Sequence, residues 1–207
     1  MHAMAGQALV GAAVARIGPN AITQVAAVLE RELGAAARAR LFAAAGLSAH
    51  LARPPTGMVD DREVERLHRV LRAELGVADA RRIGRLAGER TGAYLLAHRI
   101  PAAVQLLLRW LPASWAARLL VRAIGRHAWT FTGAGAFTAR AGPPVQLVIR
   151  HGPLARGDRA DEPVCDFYAA TFEWLFRALV HRNATVVEIE CEALGAPSCV
   201  FELRWSR

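Results

Sequence analysis

The first half of the chain shows the spacing of apolar residues that is typical of amphipathic helices. In "DDREVERLHRVLRAELG" (60–76), apolar residues recur at intervals of three and four, at Val64, Leu67, Leu71 and Leu75. Asp60 precedes this run and is expected to cap the helix. The same pattern predicts further helices at 18–34, 35–46 and 77–100, and two more that begin at Pro101 and Pro112 and reach about His127.

The second half changes to the pattern of strands. Four segments are rich in β-branched and aromatic residues and are separated by Gly, Pro and Asn: 128–142, 144–152, 184–193 and 198–205. Between the second and third, "PVCDFYAATFEWLFRALVHR" (163–182) carries large apolar residues on one helical face. The chain is therefore predicted to be α+β, with N-terminal helices followed by an antiparallel sheet that has a long helix packed on it.

The composition raises the question of a membrane protein, because 54% of the residues are hydrophobic and the mean hydropathy is +0.20. The strongest apolar run, 100–125, contains Arg109, Arg118 and Arg122 and is broken by Pro112. A membrane-spanning helix needs roughly 20 consecutive apolar residues, and no stretch approaches that. Any membrane contact is expected to be peripheral. The N-terminus lacks the layout of a secretory signal, which predicts a cytoplasmic location.

The formal charge is +8, and all 26 basic residues are arginines. They are scattered along helices and alternate with apolar residues, without the clustering or aromatic interleaving of a nucleic-acid surface. We therefore expect no nucleic-acid partner. Carboxylates or anionic lipids are at least as natural as partners.

The three cysteines leave three interpretations open. Cys191 and Cys199 flank a Gly-Ala-Pro turn in a terminal hairpin, and Cys165 lies in the first turn of the long helix. A disulfide is disfavoured in a reducing compartment. A metal site needs a fourth ligand from Glu188 or Glu190, although strand alternation points residues 188 and 191 to opposite faces unless a bulge intervenes. Burial as small apolar residues is the third interpretation.

A resemblance to a known family enters at the hairpin. The segments "VEIECEALGAPSCVFEL" (187–203) and "DFYAATFEWLFRAL" (166–179) resemble the closing part of the 4-vinyl-reductase domain of bacteriochlorophyll synthesis. The resemblance implies a fold similar to the subunits of the TRAPP trafficking complex. It also implies an N-terminal helical region, 1–79, packed on a 4-vinyl-reductase-type domain, 80–207.

The resemblance further implies a zinc ion. In sensor members of the family, a cysteine near the last helix, an acidic residue on the next strand and two hairpin cysteines hold the metal. That pattern corresponds here to Cys165, Glu188, Cys191 and Cys199. Four protein ligands leave no open coordination position, so the zinc is expected to be structural.

The implied activity is reduction of the 4(8)-vinyl group of divinyl chlorophyllide or protochlorophyllide, which would require a donor such as NADPH. The glycine cluster "GAGAFT" (133–138) lacks the third small residue of a dinucleotide fingerprint and joins two strand-like segments. No flavin or iron-sulfur signature is visible either. Binding or delivery of the tetrapyrrole is therefore favoured over hydride chemistry, and enzymatic activity is left open. Other bacteriochlorophyll-synthesis enzymes are the expected protein partners, and the sequence leaves a homodimer open.

A magnesium tetrapyrrole needs an axial ligand such as histidine, cationic groups for its propionates and aromatic surface. The residues that best supply these are His98, Arg99, Arg126, His127 and Trp129. Each also has an ordinary explanation as a helix-end or core residue. His68, between Arg66 and Arg69, is expected to face solvent.

Two other functions use the same domain: a stand-alone sensor of small molecules and a protein-interaction scaffold. Regulators that resemble this domain join it to an ATPase module and a DNA-binding helix pair. This chain ends directly after the hairpin, at Arg207, so no output module is expected in it.

Overall fold

A computed structural model describes residues 14–142 and 144–205. The helices in these residues are α1 (Asn20–Ala44), α2 (Ala49–Ala52), α3 (Asp61–Leu75), α4 (Val77–His98), α5 (Ala102–Trp110), α6 (Ala113–Arg126), α7 (Trp129–Thr132) and α8 (Asp166–Leu179). The strands are β1 (Arg16–Ile17), β2 (Val59–Asp60), β3 (Ala136–Arg140), β4 (Val145–Arg150), β5 (Thr185–Glu190) and β6 (Cys199–Arg204).

The helix ends follow the signals in the sequence. Asp60 caps α3, because its carboxylate accepts the backbone N–H of Arg62 at 3.0 Å. Gly34 interrupts α1 with a φ of 84° and separates two helical segments, as the sequence predicted. Pro101 and Pro112 immediately precede α5 and α6.

The C-terminal strands form a four-stranded antiparallel sheet in the order β3-β4-β6-β5. The last strand, β6, therefore lies in the interior of the sheet, and β5 lies at an edge. The predicted α+β class and the antiparallel sheet are confirmed.

Helix α8 forms a middle layer between the sheet and α4. On the sheet side, Tyr168 and Phe172 contact the ring of Phe201, which is fully buried on β6. On the other side, α8 packs along α4, whose buried residues apart from Ile83 are small: Ala80, Gly84, Ala87, Gly88, Thr91 and Gly92. These small residues let the two backbones approach closely.

The N-terminal helices complete the core on the far side of α8. Helices α1 and α3 contact each other and both contact α4. Their apolar faces are fully buried, with Val25, Leu29 and Leu67 at 0% exposure. The expected boundary between residues 79 and 80 lies inside α4, which contacts α1, α3 and α8.

Two predictions about local structure were wrong. Residues 129–132 form the short helix α7 instead of the first part of a strand: the backbone N–H groups of Phe131 and Thr132 both donate to the carbonyl of Ala128. His68 is only 4% exposed and lies edge-on to the ring of Phe167. The spacing of α3 turns it toward the core together with Leu67 and Leu71.

A helix that crosses a membrane must be both long and strongly apolar. None of the described helices combines the two properties.

Substituting Gly88 tests the close packing of α4 on α8. A Cβ atom at Gly88 would lie 2.3 Å from the carbonyl oxygen of Phe167, which is backbone and cannot rotate away. We expect Gly88→Ala to lower the free energy of unfolding by about 1–3 kcal/mol, measured by urea denaturation. Gly84→Ala, one turn earlier, is the control: its Cβ would meet its nearest atom at 3.6 Å. It should be neutral or stabilise by up to about 1 kcal/mol. Equal effects at both positions would contradict this packing.

Burial of His68 predicts a dependence of stability on pH. Desolvation and the nearby charge of Arg72 lower the pKa of His68 from 6.5 to about 3, opposed by a hydrogen bond to the backbone of Ala21. Between pH 6.5 and pH 3, His68 is protonated in the unfolded chain but neutral in the folded chain. The free energy of unfolding therefore falls as the pH drops below 6.5. Replacing His68 with Gln should reduce the stability lost between pH 6.5 and pH 5 by about 2 kcal/mol. Urea denaturation of both proteins at the two pH values measures this, and parallel losses would refute it.

Candidate metal centre

Four potential metal ligands from three elements meet at one point. Cys165 immediately precedes α8, Glu188 lies on β5, Cys191 directly follows β5, and Cys199 begins β6. One ligand atom from each lies within 4.8 Å of every other. The structure therefore brings together all four residues of the predicted metal site, hereafter the cysteine cluster.

A β-bulge removes the geometric objection to this set. Glu188 pairs with Phe201 of β6 and Glu190 pairs with the adjacent Val200, so Ile189 is an extra residue in β5. In a regular strand, residues 188 and 191 would point to opposite faces; the inserted residue brings them to the same face. Glu190 is exposed, which identifies Glu188 as the carboxylate of the cluster.

The sulfur–sulfur distances distinguish a metal site from a disulfide. The Sγ atom of Cys199 lies 3.5 Å from that of Cys165 and 3.9 Å from that of Cys191. A disulfide bond is about 2.05 Å long, so all three thiols are free. Tetrahedral zinc with Zn–S bonds of about 2.3 Å requires sulfurs about 3.8 Å apart. The observed spacing matches that requirement.

Only one oxygen of the Glu188 carboxylate has a hydrogen-bond partner among the described residues. Its Oε2 accepts the backbone N–H of Cys165 at 2.8 Å. Its Oε1 is buried and has no hydrogen-bond partner among the described residues. Burial, with a smaller contribution from Cys191, raises the pKa of Glu188 to about 8. A buried acceptor without a partner is costly, and a cation at the centre of the cluster would satisfy it.

Hydrogen bonds between the sulfurs lower the pKa of one thiol and raise that of another. The thiols of Cys165 and Cys199 donate hydrogen bonds to Cys191, which lowers the pKa of Cys191 well below its usual range. The same hydrogen bonding, together with burial, raises the pKa of Cys165. Among the two thiols compared, Cys191 is therefore the one that ionises more readily. A divalent cation would allow the remaining thiols to ionise and bind it.

The end of the hairpin is fixed by contacts that the sequence did not reveal. The backbone N–H of Glu192 points to the Sγ atom of Cys199 at 3.4 Å, and its carboxylate accepts the N–H of His151 at 2.6 Å. His151 adopts a φ of 51°, which is uncommon for a residue with a side chain. Glu192 and His151 are far apart in the chain, so no local pattern could identify the pair.

A groove borders the cysteine cluster at Glu188. Its volume is about 170 Å³, and it is lined by Arg81, Arg85, Asp166, Val187 and Glu188 among others. The groove lies where α4, α8 and the edge strand β5 meet.

The five residues predicted to contact a tetrapyrrole lie on the surface. His98 ends α4 and Arg99 follows it; Arg126 ends α6, His127 follows it, and Trp129 begins α7. All five are exposed, Trp129 to 60%. The two best-formed cavities among the described residues are lined by other side chains. The tetrapyrrole contact stays a prediction, and any such site would be open to a surface.

Comparison with known proteins places these features in a family. Residues 145–205, from β4 to just after β6, match the 4-vinyl-reductase domain. The bacteriochlorophyll synthase 23 kDa chain of Cereibacter sphaeroides is 45% identical over 194 residues, which cover 93% of each chain. The protein of the same name from Rhodobacter capsulatus is 42% identical over 188 residues, 91% of this chain and 86% of that one.

Among solved structures, the Fe(II) unliganded form of an H-NOX protein variant from K. algicida has a similar fold. It superimposes with a TM-score of 0.58 over 92% of this chain and 97% of its own, at 11% identity. This likeness concerns the fold alone. With two relatives above 40% identity over nearly their whole length, and with the predicted resemblance to the 4-vinyl-reductase domain confirmed, the chain belongs to the family of the bacteriochlorophyll synthase 23 kDa chains.

Proposed function

We propose that this protein serves bacteriochlorophyll synthesis by binding a divinyl chlorophyll precursor for the reduction of its 8-vinyl group. The observation that carries the proposal is the similarity to the 23 kDa chains along almost the entire length, not only in the 4-vinyl-reductase domain. In this proposal the protein presents the pigment, and the hydride comes from another protein.

We further propose that the cysteine cluster holds a structural zinc ion. Support comes from the unpartnered Oε1 of Glu188 and from sulfur spacings that fit a tetrahedron. When bound, the ion supplies a cross-link between the start of α8 and both strands of the terminal hairpin. Four protein ligands fill the coordination sphere, which favours a role in folding over one in catalysis.

The glycines of "GAGAFT" support the binding role over hydride transfer. A Cβ atom at Gly133 would lie 2.3 Å from the carboxylate of Asp61, and one at Gly135 would lie 2.4 Å from the carbonyl oxygen of Arg150. These glycines are thus needed for packing within the protein. Their presence is explained without a dinucleotide cofactor.

His127 is the best-prepared candidate for the axial ligand of the pigment magnesium. Its Nδ1 lies 2.9 Å from the carbonyl oxygen of Ala123, which fixes the proton on Nδ1. The lone pair on Nε2 is then free to bind a metal, as in histidine ligands held by a backbone carbonyl. Arg126 and Trp129 flank it and supply a cation for a propionate and an aromatic face. His98 and Arg99 offer the same chemistry at the end of α4.

Substitution of the cluster residues tests the zinc. We expect the purified wild-type protein to hold one zinc per chain, measured by elemental analysis. Both Cys199→Ser and Glu188→Gln should lose it, because each removes one of four ligands. Stability should fall by on the order of 3 kcal/mol, or about 10 °C in Tm, and a chelator should lower the Tm of the wild type in the same direction.

The matched control is Glu190→Gln, which changes an exposed carboxylate two residues from Glu188. It should keep both its zinc and its Tm. Full zinc content in Cys199→Ser, or zinc loss in Glu190→Gln, would refute this ligand set.

Titration of the zinc-loaded protein with divinyl protochlorophyllide tests the function. We expect saturable changes in pigment absorbance, and no loss of the vinyl group when NADPH is added. Replacing His127 with Gln should weaken binding by about tenfold, since one metal–ligand bond is lost. His181→Gln, another histidine that follows a helix, should bind as the wild type does.

The outcomes separate the parts of the proposal. Reduction of the vinyl group by the pure protein with NADPH would overturn the binding role in favour of an enzyme. Absence of any pigment binding would overturn the function itself. Unchanged affinity in the His127 variant would refute the axial ligand alone.

A further inference from the structure

Helix α5 leaves most of its large apolar residues exposed. Leu108 is buried, but Leu106 is 59%, Leu107 52% and Trp110 81% exposed. Its two polar side chains bind the protein backbone: the amide of Gln105 donates to the carbonyls of Leu96 and Ile100, and Arg109 donates to the carbonyl of Ala178 at 3.1 Å. Large apolar side chains gathered on the outer face of a short helix indicate an apolar partner.

Helix α6 follows α5 directly, contacts it and adds positive charge. Its outward face carries Trp115, Leu119, Arg122 and Arg126 at helical spacing, with Arg118 beside them. Trp115 is 63% exposed. The opposite face, with Ala116, Ala117, Leu120 and Val121, is buried. This is an amphipathic helix whose solvent side mixes tryptophan, leucine and arginine.

The arginines of α6 have no counter-charge among the residues that the structure describes. From residue 90 to residue 157 the chain contains no aspartate or glutamate. In the part of the chain that the structure describes, Arg118, Arg122 and Arg126 form no ion pair. Elsewhere arginines are paired, as Arg72 is with Asp158 and Arg85 with Glu173. The α6 arginines are therefore available to anions outside the molecule.

We propose that the α5–α6 surface, defined by Leu106, Leu107, Trp110, Trp115, Arg118 and Arg122, binds the face of an anionic phospholipid bilayer. Leucines and tryptophans enter the boundary between headgroups and acyl chains, and arginines bind lipid phosphates. Each arginine near such a surface adds to the attraction. A second copy of the chain fits less well, because a two-fold contact would bring the arginine row of α6 against its own copy. This inference goes beyond the pigment-binding role and does not depend on it.

Co-sedimentation of the zinc-loaded full chain with lipid vesicles tests the proposal. Vesicles of phosphatidylcholine mixed with phosphatidylglycerol should bind the protein, and vesicles of phosphatidylcholine alone should bind it much more weakly. The double variant Leu107→Ser, Trp110→Ser should reduce the bound fraction by about tenfold on anionic vesicles. Arg118→Gln with Arg122→Gln should cause a similar loss and remove most of the salt dependence.

Two controls change equally exposed residues outside this surface. Val14→Ser alters an apolar residue shortly before β1 that is 52% exposed, and Arg31→Gln alters an exposed arginine of α1. Both should bind anionic vesicles as the wild type does. All four variants should keep the circular dichroism spectrum and zinc content of the wild type, since only surface side chains change.

Three results would overturn the proposal: no binding to either vesicle type, equal loss in the controls, or concentration-dependent dimerisation that the Leu107, Trp110 variant abolishes. The last would assign the surface to a second copy, and sedimentation velocity without lipid detects it. Pigment titration without vesicles should be unaffected by the Leu107, Trp110 variant. Failure of membrane binding and failure of pigment binding therefore appear in separate assays.

Discussion

The contact between the start of α8 and the terminal hairpin is the constraint on which the C-terminal half depends. Glu188 accepts the N–H of Cys165, so the carboxylate that faces the three sulfurs also holds the first turn of α8 in place. This arrangement buries a carboxylate with one unpaired oxygen beside three thiols. Such a group is unfavourable without a positive charge, because burial penalises ions and unpaired acceptors alike. The bulge at Ile189 interrupts the hydrogen-bond ladder of an edge strand. As a result, Glu188 and Cys191 point to the same face.

A second buried carboxylate joins α8 to its neighbours, and here the protein supplies the counter-charge itself. Glu173 accepts the N–H of Val186 at 3.0 Å and pairs with Arg85 at 2.9 Å and with Arg177 at 3.1 Å. It thereby connects α4, α8 and the beginning of β5. The two carboxylates differ in their counter-charge. Glu173 pairs with two arginines, whereas Glu188 has no cationic side chain at ion-pair distance among the described residues. Removal of a metal would therefore weaken the far end of the hairpin while the junction at Glu173 holds.

The sequence was informative where one physical rule acted alone. Apolar spacing with caps predicted α3 and α4, and alternation with turn residues predicted β4, β5 and β6, because burial of one face decides each of these elements. The composition of residues 129–132 favoured a strand, yet their backbone hydrogen bonds close a helical turn that ends at Gly133. His68 looked exposed beside two arginines, but its place in the helical spacing directs it inward. The ligand set came from resemblance, whereas the bulge that makes it geometrically sound depends on pairing with β6, and no local pattern records such pairing.

The division between the 4-vinyl-reductase domain and the remainder of the chain suggests where the specific function resides. Residues 145–205 contain three of the four strands of the C-terminal sheet, α8 and the whole cysteine cluster. The features left unexplained by folding lie outside this range: the outward apolar residues of α5, the unpaired arginines of α6 and the metal-ready imidazole of His127. Helices α5 and α6 are consecutive and His127 directly follows α6, so the proposed pigment ligand lies next to the proposed membrane surface. A flat, apolar macrocycle gains from that position, because the boundary between headgroups and acyl chains shields its ring while arginines reach its propionates. We infer that residues 145–205 serve as the scaffold and that the helices before them carry the surfaces proposed for the pigment and the membrane.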